Sequence, residues 1–420
     1  MTRWLGAAVA AAFLGAMAGG TGAVAPEGAT SAPTPPWVAE ATNAFAVDLY
    51  ARLAAAEGNL FFSPASLETA LGMTYAGARG RTADQMAAVL HLPKGGPADA
   101  ALHRALGGFS RDLSAAKGAG GQPRPYEFAV ANALWGQTGY RFLPEFLGLV
   151  KSSYGADLEQ LDFAKDTDAA RKTINAWVEN QTRDKIPDLI GPGVLRDDTR
   201  LVLTNAIYFK GRWVAPFKKE ATKREPFHPA PERPVETDLM HGWGHWPYVE
   251  GPDFQALRLP YEGKELSMVV LLPKQVDGLA AIEKSLGAAA LAEWLGKMRR
   301  TEIVLTLPKF KTTAAFELNQ TLAAMGMADA FSQTVADFSG MTAEERLFIS
   351  KVIHKAFVDV GEEGTEAAAA TAVAVAPMAM PMPAPEPLVQ FRADHPFICI
   401  IRHEPTGAIL FMGRLADPTK

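Results

Sequence analysis

The chain has 420 residues, 48% of them hydrophobic and 21% charged, with a formal net charge of −5 at pH 7. A mildly acidic balance, with no basic run interleaved with aromatics, excludes a nucleic-acid-binding surface. The single cysteine, Cys399, excludes an intrachain disulfide, and its place between Ile398 and Ile400 predicts a buried, inert thiol.

Residues 1–25 read as a secretory signal peptide. Arg3 precedes an apolar stretch from Trp4 to Met17, and small residues follow. The stretch is too short to span a bilayer as a helix, so an uncleaved membrane anchor is the weaker of the two readings. Ala16–Ala18 and Ala23–Ala25 are both cleavage candidates, and Pro26 disfavours the second. The expectation is an exported protein, secreted or periplasmic, with no membrane partner. Residues 26–36, "PEGATSAPTPP", form a flexible linker. Residues 37–420 then form one domain, with no repeat and no break in composition.

Within that domain, Phe45, Leu49 and Leu53 share one face and predict a helix from about Val38 to Ala56. Ser63-Pro64 can open a second helix, with proline near the first helical position. "YEFAVANALWG" reads as a strand. "DAARKTINAWVENQTRDKI" reads as a helix with Ile174, Trp177 and Val178 together. The second half is dominated by strand-like runs: "TRLVLTNAIYFKG", "FQALRLPY", "LSMVVLLP", "TEIVLTLPKF", "FICIIRH" and "AILFMGRL". Helical segments lie between them near "LAAIEKSLGAAALAEWLGKM" and "FELNQTLAAMGM". No regular βα alternation paces these strands, which argues for an α+β domain on large sheets rather than a doubly wound fold.

Catalytic signals are weak. Ser114 and Lys117 fit the S-x-x-K pattern of serine acyl-enzymes, but a loop composition follows and no K-T-G companion occurs. His241 and His245 could offer two metal nitrogens, but no third ligand lies nearby, and surface or loop histidines are the better reading. Asn180 and Asn319 head N-x-T sequons, which matter only in a glycosylating pathway. No metal or cofactor is expected, and the chain is read as a protein that acts by binding or by changing shape.

The tract Gly361–Pro387, "GEEGTEAAAATAVAVAPMAMPMPAPEP", is the unusual feature. It can be read as a disordered linker, as an alanine helix or as a strand. Taken as a strand, one face receives Thr365, Ala367, Ala369, Thr371, Val373 and Val375, and carries no charge. The other receives Glu366, Ala368, Ala370, Ala372, Ala374 and Ala376. No proline occurs from Gly364 to Ala376, and prolines come thickly from Pro377.

"DVGEEGTEAAAATAVAV" resembles the reactive-loop hinge of the serpin family. "NLFFSPASLETALGMTYAGARGRT", "LVLTNAIYFKGRW", "LPYEGKELSMVVLLP", "LPKFKTT", "KVIHKAFVDVGEEGTEA" and "FRADHPFICIIRHEPTGAILFMGRL" each resemble serpin segments, in order, over roughly residues 37–418. The resemblance implies an α+β serpin fold of three β-sheets and about nine helices, with a reactive-centre loop over about 361–390. It implies a monomer that is no enzyme but a suicide inhibitor of serine proteases. A target cleaves the exposed loop, and the loop then inserts as a strand into the main sheet and traps the acyl-enzyme. Its hinge would be Glu362, Gly364, Thr365, Glu366, Ala367, Ala368, Ala369 and Ala370.

Counting from the hinge glycine as in inhibitory members places the scissile bond at Met378-Ala379. Met380 and Met382 are each followed by proline, which blocks cleavage there. A methionine before the bond suits the apolar pockets of elastase-, chymotrypsin- or subtilisin-like enzymes. By position, Ser63, Ser66, Asn205 and His354 match a polar cluster under the sheet opening, and Trp213 matches an aromatic at the sheet top. The segment "PMPAPEP" departs from many members in its extra prolines, and no basic stripe for a polyanion occurs. A non-inhibitory member, acting as carrier or interaction protein, is the alternative.

Overall fold

The computed structural model describes residues 33–118, 121–343, 346–365 and 388–420. The signal-peptide reading, hinge residues Glu366–Ala370 and the Met378-Ala379 bond fall outside them. In chain order the first half forms α1 (Pro36–Leu53), β1 (Leu60–Phe62), α2 (Pro64–Tyr75), α3 (Gly80–Val89), α4 (Ala100–Ser114), β2 (Tyr126–Gln137), α5 (Pro144–Tyr154), β3 (Leu158–Leu161) and α6 (Thr167–Gln181). The middle forms β4 (Leu201–Arg212), β5 (Lys223–Ala230), β6 (Arg233–Glu250), β7 (Phe254–Pro260), β8 (Leu266–Pro273), α7 (Leu279–Ser285), α8 (Ala288–Gly296) and β9 (Arg299–Pro308). The last part forms β10 (Phe310–Glu317), α9 (Asn319–Leu322), β11 (Lys351–Gly361), β12 (Gly364–Thr365), β13 (Val389–Arg392), β14 (Phe397–His403) and β15 (Ile409–Leu415).

One sheet has six strands in the order β10-β11-β12-β4-β2-β3, with β4 and β11 also paired directly. The others form a nine-stranded path, β1-β15-β14-β8-β7-β6-β9-β13, with β5 beside β6. Long strand β6 divides this path in two. Its stretch Leu239–Tyr248 pairs with β9, and only Tyr248–Glu250 pairs with β7. The three sheets implied by the resemblance thus lie in two hydrogen-bonded networks, and the α+β class holds.

Strand β4, central in the six-stranded sheet, is buried on both faces, which explains why it reads as a continuous apolar run. Leu201, Leu203, Ile207 and Phe209 of β4 face the large core with α2. Val202, Ala206 and Tyr208 face a second core under α6, with Ile174 and Val178. All twelve residues of α2 are buried, so this helix is the packing centre beneath the sheet. Ser63 caps its N-terminus by accepting the Ser66 N–H, and Pro64 fills the first turn where no N–H is needed.

Several sequence expectations shift by short distances. The run around "FELNQTLAAMGM" is helical only from Asn319, because Phe316 and Glu317 end β10. Helix α9 runs on into a π turn, Ala323–Met327, which is broken at Gly326, where φ is +131°. "TEIVLTLPKF" is split between two sheets, with Lys309 at the crossing. His241 and His245 belong to strand β6, not to a loop. The glycines around them face inward, where Phe217 and Trp246 take the space a side chain would fill. The two histidines stand in different rows, opposite Thr306 and Glu302, about 13 Å apart, too far to share an ion.

Candidate functional site

Strands β4 and β11 run parallel and are paired from Val202/Lys351 to Tyr208/Phe357. Beyond Phe357 they part, and β12 enters the gap between them. Gly364 pairs with Gly361 and Arg212, and Thr365 pairs with Val360 and Gly211. Gly364 and Thr365 of the unusual tract therefore already occupy the mouth of the gap, as a strand antiparallel to both neighbours. Thr365 is fully buried, and its hydroxyl meets the Tyr261 hydroxyl at 2.8 Å on the core side of the sheet. This is the face assigned to it by parity. Only glycine fits before it: φ at Gly364 is +153°, and a Cβ there would lie 2.1 Å from the Gly211 carbonyl oxygen.

The turn Glu362-Glu363 joining β11 to β12 is held from several sides. Trp213 donates its backbone N–H to the Glu363 carbonyl (2.9 Å) and its indole N–H to the Gly361 carbonyl (3.0 Å). Its ring stacks on Tyr261 at 4.4 Å between centroids. Phe217 donates its N–H to the Glu362 carbonyl at 2.8 Å. The Glu362 carboxylate accepts from Thr222 (2.9 Å) and pairs with Lys309 (3.2 Å), while Glu363 pairs with Lys219 (2.9 Å). Burial works against ionisation of Glu362, but its own N–H, Thr222 and Lys309 together hold its carboxyl below the usual range.

A second station lies lower, where β4 and β11 are still paired and His354 and Asn205 are register partners on the core face. Both are fully buried. The Ser63 backbone N–H can only donate, and it meets His354 Nε2 at 3.1 Å. That fixes the tautomer. His354 Nδ1–H donates to Asn205 Oδ1, Asn205 Nδ2–H donates to Ser66 Oγ at 2.6 Å, and Ser66 O–H donates to Asn132 Oδ1 at 3.2 Å. Asn205 Nδ2 also reaches Asn132 Oδ1, and Ser63 Oγ donates to the Leu410 carbonyl at 2.7 Å. Burial pushes the His354 imidazole down to about 3, so it is neutral and the donor order is preserved.

Ser63, Ser66, Asn205 and His354 thus meet in one hydrogen-bonded cluster. Asn132, level with Asn205 on β2, was not expected. Its signal is faint, a lone amide in "VANAL". Tyr261, Lys309 and Thr222 were also not anticipated, because each lies more than 50 residues from its partner in the chain. Ser114 ends α4 and Lys117 bridges Pro123, so the serine-lysine pattern belongs to a helix end and a loop. The Asn319 amide is fully used, donating to the Ser350 carbonyl and accepting from the Val352 N–H. Cys399 is buried, and burial pushes its thiol up to about 12.

Residues 40–418 match the family model described as Serpin (serine protease inhibitor). The chain belongs to the serpin family. The serpin is 41% identical to human leukocyte elastase inhibitor over 391 residues, covering 91% of this chain and 99% of that one. It is 44% identical to an uncharacterized serpin-like protein of Thermococcus kodakarensis, covering 91% and 86% of the two chains. Its fold superposes on uncleaved ovalbumin with a TM-score of 0.80 at 32% identity, covering 91% of this serpin and all of that chain. Human thyroxine-binding globulin gives a TM-score of 0.80 at 28% identity, covering 92% and 100%. No helix among the serpin's described residues is long and apolar enough to cross a membrane.

Proposed function

We propose that this serpin is a suicide inhibitor of serine endopeptidases with an apolar specificity pocket. The target's serine attacks the Met378 carbonyl, the amine of Ala379 departs, and an ester links enzyme to inhibitor. The freed tract from Thr365 onward then enters between β4 and β11, carrying the enzyme with it and stalling hydrolysis of the ester. The protein itself supplies no catalytic group and needs no cofactor. Residues 37–420 are its folded domain, and it works as a monomer outside the cytoplasm after loss of residues 1–25.

The observation that carries this reading is β12. Gly364 and Thr365 are paired with both strands that would have to accept the rest of the tract. Continuing that register six residues past Thr365 brings Thr371 level with His354 on one side and Asn205 on the other. Thr371 shares the uncharged face with Thr365, so a hydroxyl would arrive where the His354–Asn205 bond is broken. The polar cluster can then be satisfied in the closed and in the filled sheet, and opening leaves no buried group unpaired. Similarity to leukocyte elastase inhibitor supports an elastase-like target.

The test is incubation with elastase, chymotrypsin and subtilisin. A complex that survives SDS, with a released C-terminal peptide beginning at Ala379, is the expected result. Cleavage by every enzyme with neither complex nor inhibition would overturn the reading. The alternative, a carrier, draws on similarity to a globulin named for binding thyroxine. It predicts cleavage without a gain in thermal stability.

A further inference from the structure

Glu68 lies in the middle of α2, 1% exposed, with no cation among the groups acting on it. Its Oε2 bonds Thr42 Oγ1 of α1, and its Oε1 has no partner among the described residues. Thr42 has one hydroxyl proton. The Val38 carbonyl, 2.7 Å from that hydroxyl, can only accept. That one proton can serve Val38 or Glu68 but not both, and both bonds are completed together only when the acid donates to Thr42. An ionised Glu68 would draw that proton from Val38 and still leave its other oxygen charged and buried without a donor, whereas a neutral acid leaves one weakly polar carbonyl.

The surroundings offer no compensation. From α5, Tyr154 packs one turn further along α2, its hydroxyl 2.8 Å from where a Cβ on Gly72 would lie. It donates to His103 Nδ1 of α4 at 2.6 Å, because His103 Nε2–H is committed to the Pro97 carbonyl. Burial raises the Tyr154 phenol and lowers the His103 imidazole, so both stay neutral. Strands β2 and β4 present the amides Asn132 and Asn205 to α2, β11 the neutral His354, and β15 the Leu410 carbonyl; no charge from α3 bears on Glu68.

We propose that Glu68 is a proton-held seat for α2: as the neutral acid it fastens α2 to α1, and its ionisation in alkaline solution unseats α2 and frees the Ser63–Ser66 end of the His354–Asn205 cluster. This rests on reading that cluster as the point where the sheet opens. Burial pushes the Glu68 carboxyl up to about 8. A group whose pKa is raised on folding contributes stability fully present below the unfolded value and lost as pH rises through the folded one. Stability therefore falls as pH rises from the unfolded value, 4.5, to about 8, and above that Glu68 is ionised in the folded protein.

The test compares the full chain with Glu68→Gln, whose amide can donate to Thr42, and with Glu68→Leu as a second variant should the amide fold poorly. Thermal unfolding by circular dichroism is followed from about pH 6 to pH 10. Hydrogen exchange of peptides covering α2 and β11 is measured at each pH, and each variant is compared with wild type at the same pH. Relative to the variants, wild type should lose melting temperature up to about pH 8 and level off above it, and its α2 and β11 peptides should exchange about tenfold faster than those of Glu68→Gln at the alkaline end. Parallel pH curves for wild type and variants would overturn the seat. A wild-type loss of stability with unchanged β11 exchange would overturn its link to the cluster. Neither readout uses a protease, so the result is independent of whether the protein inhibits one.

Discussion

His354 on β11 and Asn205 on β4 face each other across the parallel strand pair, and Thr365 lies between the same two strands six residues up the register. The polar cluster and strand β12 thus lie along one strand pair, the first where β4 and β11 are joined and the second where they have parted. What weakens the first should ease the advance of the second.

Removing either side chain of the closing pair strands its partner in a fully buried site. Asn205→Ala and His354→Ala should each cost about 1–3 kcal/mol in urea unfolding. The double variant should cost less than their sum, because the unpaired group has gone. Strict additivity would show that the two do not act as a unit.

Thr365 has no room for charge. Thr365→Arg would bury a guanidinium beside Tyr261, so insertion should stall at its first residue. The variant should still be cleaved but should yield free enzyme and cut protein rather than complex, read as a rise in the inhibitor needed per mole of enzyme. Unchanged stoichiometry would contradict insertion along this path.

Gly364→Ala places a Cβ against the Gly211 carbonyl in a conformation that L-residues avoid. The expected loss is about 1–3 kcal/mol, from expelling β12 or from strain. Faster hydrogen exchange at Gly211 and Arg212 would mark the expulsion, and a neutral substitution would place β12 elsewhere.

The Glu362 carboxyl is held below its usual range by its hydrogen bonds and by Lys309. A depressed carboxyl contributes stability above the unfolded value, near 4.5, that is lost as pH falls through the folded value. Wild type should therefore melt higher than Glu362→Gln at neutral pH, and the gap should close in acid. A gap independent of pH would mean that the charge on Glu362 does not matter.

Much of this was legible before any coordinates. The Ser63 cap, the apolar runs and the uncharged parity of the tract are local patterns, and local patterns survive in a sequence. The contacts that escaped are those in which a side chain meets a partner from another strand or sheet, such as Tyr261 against Thr365 or Lys309 against Glu362. Strand β6 escaped for a different reason. Its glycines are poor strand formers on their own, and the ladder with β9, packed over the rings of Phe217 and Trp246, makes a strand there. Glu68 escaped because a carboxylate on a helix reads as a solvent-facing residue unless the helix is known to be buried on every side.

The central claim is that the tract beginning at Thr365 can become a full strand between β4 and β11. The most direct measurement is the melting temperature of the protein before and after limited cleavage in the tract. About ten residues entering the sheet, each adding a ladder bond worth roughly 0.5–1.5 kcal/mol, should raise it by on the order of 10–20 °C. A cleaved protein that melts at or below the intact one would contradict the account.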